Sequence, residues 1–137
     1  MIKTVLLIED DFITRYLNRE ILKSASFCDN VAEASSGDEA LSYIENIEKG
    51  DNPMDNLPEA ILLDLNIPVM DGWEFIETYG QKFPEFAKKT KIFILSSSSN
   101  PEDYQRALKE PNIAAFLSKP LDKDEHFNLI ESFLNKQ

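Results

Sequence analysis

The sequence predicts an α/β fold, with five parallel strands in one sheet and helices on both faces. Three observations carry this. Short unbroken apolar runs alternate with stretches of helical period, strand then helix, five times along the chain, and such alternation builds parallel sheets. Most of the runs show no polar alternation, which suits strands buried on both faces. The length, 137 residues, fits one compact domain and leaves no room for two ordinary ones. Crossovers between such strands are right-handed because the strands themselves twist.

The elements follow in order. Val5-Leu6-Leu7-Ile8 is the first strand and ends abruptly in Glu9, Asp10 and Asp11. Ile13, Leu17 and Ile21 then recur at four-residue spacing, with Tyr16 and Leu22 alongside, as one apolar face of a first helix. Residues 27–35 hold a weaker strand around Val31 and Ala32. Ser36-Gly37-Asp38 opens a second helix whose apolar side carries Ala40, Leu41, Ile44 and Ile47, and Gly50-Asp51-Asn52-Pro53 stops it. A polar loop runs on to Pro58, longer than most connections in such folds and read as a tolerated insertion rather than a partner surface.

Ala60-Ile61-Leu62-Leu63 is the third strand and ends at Asp64, and the segment from Asn66 to Gly72 is turn chemistry. A third helix follows with Trp73, Ile76 and Tyr79 inward and Pro84 near its end. Ile92-Phe93-Ile94-Leu95 is the fourth strand and runs into four serines, Ser96 to Ser99. Asn100 and Pro101 make a good helix start, with Asn as cap and Pro in the first turn. Ala114-Ala115-Phe116-Leu117 is the fifth strand and leads to Ser118-Lys119-Pro120; the last helix carries Phe127, Ile130, Phe133 and Leu134.

Charge and composition exclude several functions. Twenty-five acidic residues against 14 basic ones leave a formal charge of −11. A nucleic-acid binder needs a Lys/Arg footprint, and an anionic membrane surface would repel this chain, so neither is expected as a partner. Hydrophobic residues make up 42% and charged residues 28%, a globular balance rather than a disordered one. Cys28 is the single cysteine, so an internal disulfide is impossible and a reducing cytoplasm is the expected location. The opening apolar run is cut off by Glu9, so neither a signal peptide nor a membrane span fits there.

The chemistry is expected at the carboxyl ends of the strands, where open α/β sheets place their ligand crevice. Glu9 and Asp10 follow the first strand, Asp64 the third, Ser96 the fourth and Lys119 the fifth. Clustered carboxylates raise one another's pKa, and a hard divalent cation such as Mg²⁺, which takes oxygen ligands, relieves the repulsion. A metal, an ammonium and a hydroxyl around one carboxylate suit phosphoryl transfer, where catalysis is mostly positioning and electrostatics. Aspartate is a competent covalent phosphoryl acceptor. Asp64 stands alone at its strand end beneath a tight turn and is the best candidate nucleophile.

The segments Leu6 to Asp11, Leu62 to Gly72, Ile94 to Ser97 and Phe116 to Pro120 together resemble the receiver domain of bacterial two-component response regulators. Each motif alone is weak; the ordered set is specific and covers essentially the whole chain. The resemblance implies a flavodoxin-like (βα)5 fold with strand order 2-1-3-4-5. It implies phosphorylation at Asp64, with Glu9, Asp10, Asp64 and the Asn66 carbonyl holding Mg²⁺. Lys119 would contact the phosphoryl group and precede a cis bond to Pro120. Ser96 would move toward that group and Phe116, the aromatic of the switch, would change rotamer. The acidic pair departs from the family pattern by being Glu-Asp rather than Asp-Asp, and the segment 109–113 is one residue longer than usual and lacks the common Ala-Gly turn.

On this reading residues 1–137 are a single receiver domain with no output domain, a stand-alone response regulator of a two-component phosphorelay. A sensor histidine kinase or phosphotransfer protein would supply the phosphoryl group, and a downstream protein target would read a switched surface, with the chain a monomer or a phosphorylation-dependent homodimer. It would catalyse only its own Mg-dependent phosphorylation and dephosphorylation, at a rate set near Asn66 and Ser98. The alternative is a phosphorylation-independent receiver-like binding module, which the complete set of site residues disfavours. A haloacid-dehalogenase-type phosphohydrolase needs a general acid two residues beyond its nucleophile, where this chain has Asn66. A dinucleotide site needs a glycine-rich loop, which the scattered glycines 37, 50, 72 and 80 do not make. His126, the lone histidine, reads as an ordinary helix residue, Cys28 as a small filler and Trp73 as core packing; Asp11 reads as a helix cap or a group near the metal.

Overall fold

The computed structural model describes residues 2–97 and 100–134. Its strands are β1 (Ile2–Ile8), β2 (Cys28–Ala34), β3 (Ala60–Leu63), β4 (Lys91–Ser96) and β5 (Ile113–Ser118). All pair in parallel, in the order β2-β1-β3-β4-β5, which is the expected topology. The order reverses beside β1, so the carboxyl ends of β1 and β3 meet at the switch point where a ligand crevice belongs.

The helices are α1 (Phe12–Ser24), α2 (Gly37–Lys49), α3 (Pro53–Asn56), α4 (Gly72–Lys82), α5 (Pro84–Lys89), α6 (Pro101–Lys109) and α7 (Asn128–Leu134), the last entered through a π-helical turn over Lys123–Phe127. Their starts follow from sequence. Asp11, Ser36, Asp71 and Asn100 each cap a helix through the side chain, accepting from Thr14, Glu39, Glu74 and Glu102 N–H respectively. Among the described residues no helix is long and apolar enough to cross a membrane.

Strand residues alternate between two cores. Leu6, Ile8, Ile61, Leu63, Ile92 and Ile94 pack with Ile44, Phe75, Ile76, Tyr79 and Phe86 on one face. Val5, Leu7, Leu62, Phe93, Leu95 and Leu117 pack with Leu22, Phe127 and Ile130 on the other. Each fully buried side chain of this kind contributes about 1.5–3 kcal/mol relative to exposure.

Four features differ from the sequence expectation. The polar loop before Pro58 contains the short helix α3. Pro84 begins a separate helix, α5, because proline suits a first turn and its Phe86 and Ala87 bury against the core. The β4–β5 pairing carries a bulge: Ile92 pairs with Ile113 but Phe93 pairs with Ala115, leaving Ala114 between them. The largest difference is in α1. It buries Asn18 and Leu22, while Ile13 and Leu17 remain 65% and 53% exposed. Period identifies an apolar stripe; the tilt of the helix on the sheet decides which stripe is covered.

Candidate functional site

Backbone ladders extend past the strand ends and place the site. Glu9 N–H donates to Ala34 O at 3.1 Å, continuing β1 alongside β2. Asp64 N–H donates to Ile8 O at 3.1 Å, continuing β3 alongside β1. Lys119 N–H donates to Ser96 O at 3.0 Å, tying the end of β5 to the end of β4. Four chain segments distant in sequence thus deliver Glu9, Asp64, Ser96 and Lys119 to one edge of the sheet. The Lys119–Pro120 peptide is cis.

Carboxylate oxygens of Glu9, Asp10 and Asp64 all lie within 4.8 Å of one another. Glu9 and Asp64 are buried and Asp10 is exposed, so the cluster opens toward solvent on the Asp10 side. Lys119 Nζ donates to Glu9 Oε1 at 2.7 Å and to Asp64 Oδ2 at 3.1 Å. The other oxygen of Asp64, Oδ1, accepts from Asn66 N–H at 3.1 Å. Glu9 Oε2 accepts from Asp11 N–H at 3.2 Å.

Burial holds the Glu9 carboxyl above its usual value; the Lys119 hydrogen bond opposes this and the Asp64 charge reinforces it. Burial pulls the Lys119 ammonium down, but its bonds to Glu9 and Asp64 outweigh that and hold it above its usual value. The lysine is therefore a fixed positive charge among three carboxylates. The site carries hard oxygen donors of the kind that Mg²⁺ takes, including a carboxylate open to solvent, and fits such an ion.

Ser96 is buried, 1% exposed, at the end of β4. Phe116, on β5, is half-buried and meets Tyr104 edge-on at 6.0 Å. Ser98 lies outside the described residues. Asp11 proves to be the α1 cap, its Oδ2 accepting from Thr14 N–H at 2.9 Å. His126 is buried in the π-helical turn, where its Nδ1 accepts from Asp122 N–H at 3.1 Å. Cys28 opens β2 half-buried, and burial pushes its thiol up.

Two features near the site were not legible as such in the sequence. Arg15 Nη1 donates to the Glu9 carbonyl at 2.8 Å while its Nε pairs with Glu33 at 3.2 Å, so α1 braces the residue that begins the cluster. Beside Asp10 and Asn66 lies an open cavity of about 540 Å³, walled by Trp73 and Asp103. The only signal for either was the presence of arginine and tryptophan one helical turn into α1 and at the start of α4.

The comparisons with known proteins agree with this arrangement. The chain is 30% identical over 122 residues to the nitrate/nitrite response regulator protein NarL of Escherichia coli strain K12, covering 89% of this chain and 50% of that protein. It thus spans about half the length of that relative. It is 33% identical over 121 residues to a two-component response regulator of Oryza sativa subsp. japonica, covering 88% of this chain and 86% of that one. The crystal structure of a two-component response regulator from Cytophaga hutchinsonii superimposes with a TM-score of 0.88 at 30% identity, covering 98% of each chain. The family model described as the response regulator receiver domain matches residues 5–131. With the strand order, the acidic cluster and the lysine in place, the chain belongs to the response regulator receiver domain family.

Proposed function

We propose that this receiver domain accepts a phosphoryl group on Asp64 from a histidine kinase or a phosphotransfer protein. The observation that carries this reading is the Lys119 ammonium bridging Glu9 and Asp64 inside a three-carboxylate cluster. A purely structural ion pair would need one carboxylate, not three.

In the transfer, a carboxylate oxygen of Asp64 forms a bond to phosphorus as the P–N bond of the donor phosphohistidine breaks. The bonding electrons leave on the imidazole nitrogen, and the product on this chain is an acyl phosphate. Lys119 stands ready to balance charge on the transferred oxygens, and Asn66 N–H holds one Asp64 oxygen and so orients the carboxylate. Glu9, Asp10, Asp64 and the Asn66 carbonyl would hold Mg²⁺. When bound, that ion supplies positive charge that offsets the carboxylates and the phosphoryl oxygens.

The phosphorylated aspartate presents new acceptor oxygens. Ser96, buried at the neighbouring strand end, would move to donate to them, and the Phe116 ring, edge-on to Tyr104 at rest, would change rotamer as it does so. Output is then a change in the surface formed by α6 and β5. For docking of the donor, α1 offers Phe12, Ile13 and Leu17 at 68%, 65% and 53% exposure, directly after the acidic residues. An apolar patch rimmed by charge beside a reaction centre is what a protein partner needs and a small substrate does not.

The test is intact-protein mass after incubation with phosphoramidate and Mg²⁺, for wild type and Asp64→Asn. A gain of one phosphoryl group in wild type, absent in the variant and without Mg²⁺, is expected. A folded wild type that binds Mg²⁺ yet gains no mass would overturn the reading in favour of a binding module that works without phosphorylation.

A further inference from the structure

We propose that Trp73 is a positioning residue for the Asp64 reaction, a latch that holds α6 in its resting place until Ser96 moves. The inference rests on the phosphoacceptor reading above.

The argument starts from how little holds α6. Ala107 is its one buried residue, while Tyr104 and Leu108 stand 51% and 65% exposed. Apolar burial therefore fixes this helix weakly, and specific side-chain contacts decide where it sits. One contact is the edge-on meeting of Tyr104 and Phe116. Two more meet at Trp73. Its indole Nε1 donates to Asp103 Oδ1 at 3.2 Å, and the Arg106 guanidinium lies 4.5 Å from its ring centroid. Asp103 and Arg106 sit three residues apart on α6, so both reach the same indole from one helix face.

Trp73 itself is anchored. It is 8% exposed in the first turn of α4 and packs in the core, and the preceding Gly72 N–H donates to Leu65 O at 3.0 Å. Leu65 follows Asp64 directly. The latch thus joins the segment leaving the phosphoacceptor to the helix that follows Ser96. Ser96 and Pro101 are five positions apart in sequence, so a displacement of Ser96 would be passed on to α6. A contact that favours the resting place of α6 biases the equilibrium against the form in which Ser96 closes on the modified carboxylate. Trp73 and Asp103 also wall the cavity beside Asp10 and Asn66, so their separation would be registered at the site itself.

The experiment uses the full chain with phosphoramidate and Mg²⁺, reading Asp64 labelling by intact mass and Trp73 emission on saturation with beryllium fluoride. Trp73→Phe keeps the ring but removes the donor, and Asp103→Ala removes the acceptor from a half-exposed position, so at least one variant should fold. Both should raise the initial labelling rate about three- to tenfold, the range that the net loss of one ordinary, partly solvated hydrogen bond allows. The double variant should be no faster than either single one, because both break the same contact. Asp103→Asn, which keeps an acceptor oxygen, should stay within twofold of wild type. Emission should shift on beryllium fluoride addition in wild type but not in Asp64→Asn. Unchanged or slower labelling in both single variants, additive effects in the double variant, a slow or fast Asp103→Asn matching Asp103→Ala, or unshifted emission in a protein that labels normally would each overturn the latch. Failure of wild type to label at all would instead overturn the phosphoacceptor reading.

Discussion

Replacing Val69 by glycine should stabilise this domain although it deletes a side chain. Val69 has φ 66°, and across it Met70 N–H closes onto Pro68 O at 2.7 Å. That is a three-residue γ-turn in its left-handed, strained form. Left-handed backbone costs an L residue about 1–2 kcal/mol, and a branched β-carbon is especially ill suited to it. The side chain offsets none of this through burial, since Val69 is 95% exposed. Glycine relieves the clash but adds freedom to the unfolded chain, at a cost of about 0.5–1 kcal/mol. The difference leaves a net gain of about 0.5–1 kcal/mol, which for a chain of 137 residues raises Tm by about 2–4 °C. Urea unfolding should show a higher midpoint with an unchanged slope. Val69→Ala keeps the β-carbon and should recover less than half of the gain. A Val69→Gly midpoint at or below wild type, or an equal gain from alanine, would refute the assignment of strain to the β-carbon.

Other perturbations have signs that follow from the geometry. In Gly72→Ala the new β-carbon would lie 2.8 Å from Leu65 Cα, which is backbone and cannot swing aside. The variant should lose about 1–3 kcal/mol in denaturant unfolding and label more slowly, because the displaced residue adjoins Asp64. Tyr79 donates to Thr90 Oγ1 at 2.8 Å, and burial pushes its phenol up from 10.0 to about 12. With the folded value above the unfolded one, the associated stability is complete below about pH 10 and lost as pH rises through about 12. Tyr79→Phe should flatten that alkaline loss while costing about 1 kcal/mol at neutral pH, both read from stability against pH. Lys119→Ala leaves Glu9 and Asp64 facing each other without their shared cation. It should cost about 1–3 kcal/mol at neutral pH, less than the roughly 3–5 kcal/mol of a fully buried broken pair because the lysine is partly solvated. Since the Glu9 carboxyl is already held high, its protonation should shrink the deficit as pH falls, and added Mg²⁺ should shrink it at neutral pH; a deficit independent of both would count against the electrostatic account.

Much of the site was legible because its residues are read from position, not from contact. Asp64, Ser96 and Lys119 each follow an apolar run directly, and a parallel sheet aligns the ends of all such runs. The helix starts at Ser36 and Asn100 were equally local, needing only the residues that follow them, whereas Asp11 stayed open between cap and metal neighbour and Asp71 read only as part of a turn. Misreadings arose where a distant neighbour decides. Ile13, Leu17 and Ile21 form a stripe as regular as Ala40, Leu41, Ile44 and Ile47, yet the first leaves Ile13 and Leu17 exposed while the second buries Ala40, Leu41 and Ile44 and half-buries Ile47. Nothing within α1 distinguishes the two, because coverage depends on how the helix lies over β1 and β2. Pro84 is ambiguous in sequence because proline stops one helix as readily as it starts the next; the burial of Phe86 and Ala87 makes it a start.

By itself the sequence determined the α/β class, the order of the strands, the helix starts at Ser36 and Asn100 and the identity of the groups at the strand ends, since each rests on periodicity or on residues a few positions apart. Only the tertiary structure decided that Lys119 divides its bonds between Glu9 and Asp64, that Ala114 bulges between the β4 and β5 pairings, that α1 turns apolar side chains outward, and that Trp73 meets Asp103 and Arg106. The physical reason is common to all four. Hydrogen bonds, ion pairs and burial act over a few ångströms in space, and the hydrogen-bonded partners named here stand 30 to 110 positions apart, a separation that no local pattern records.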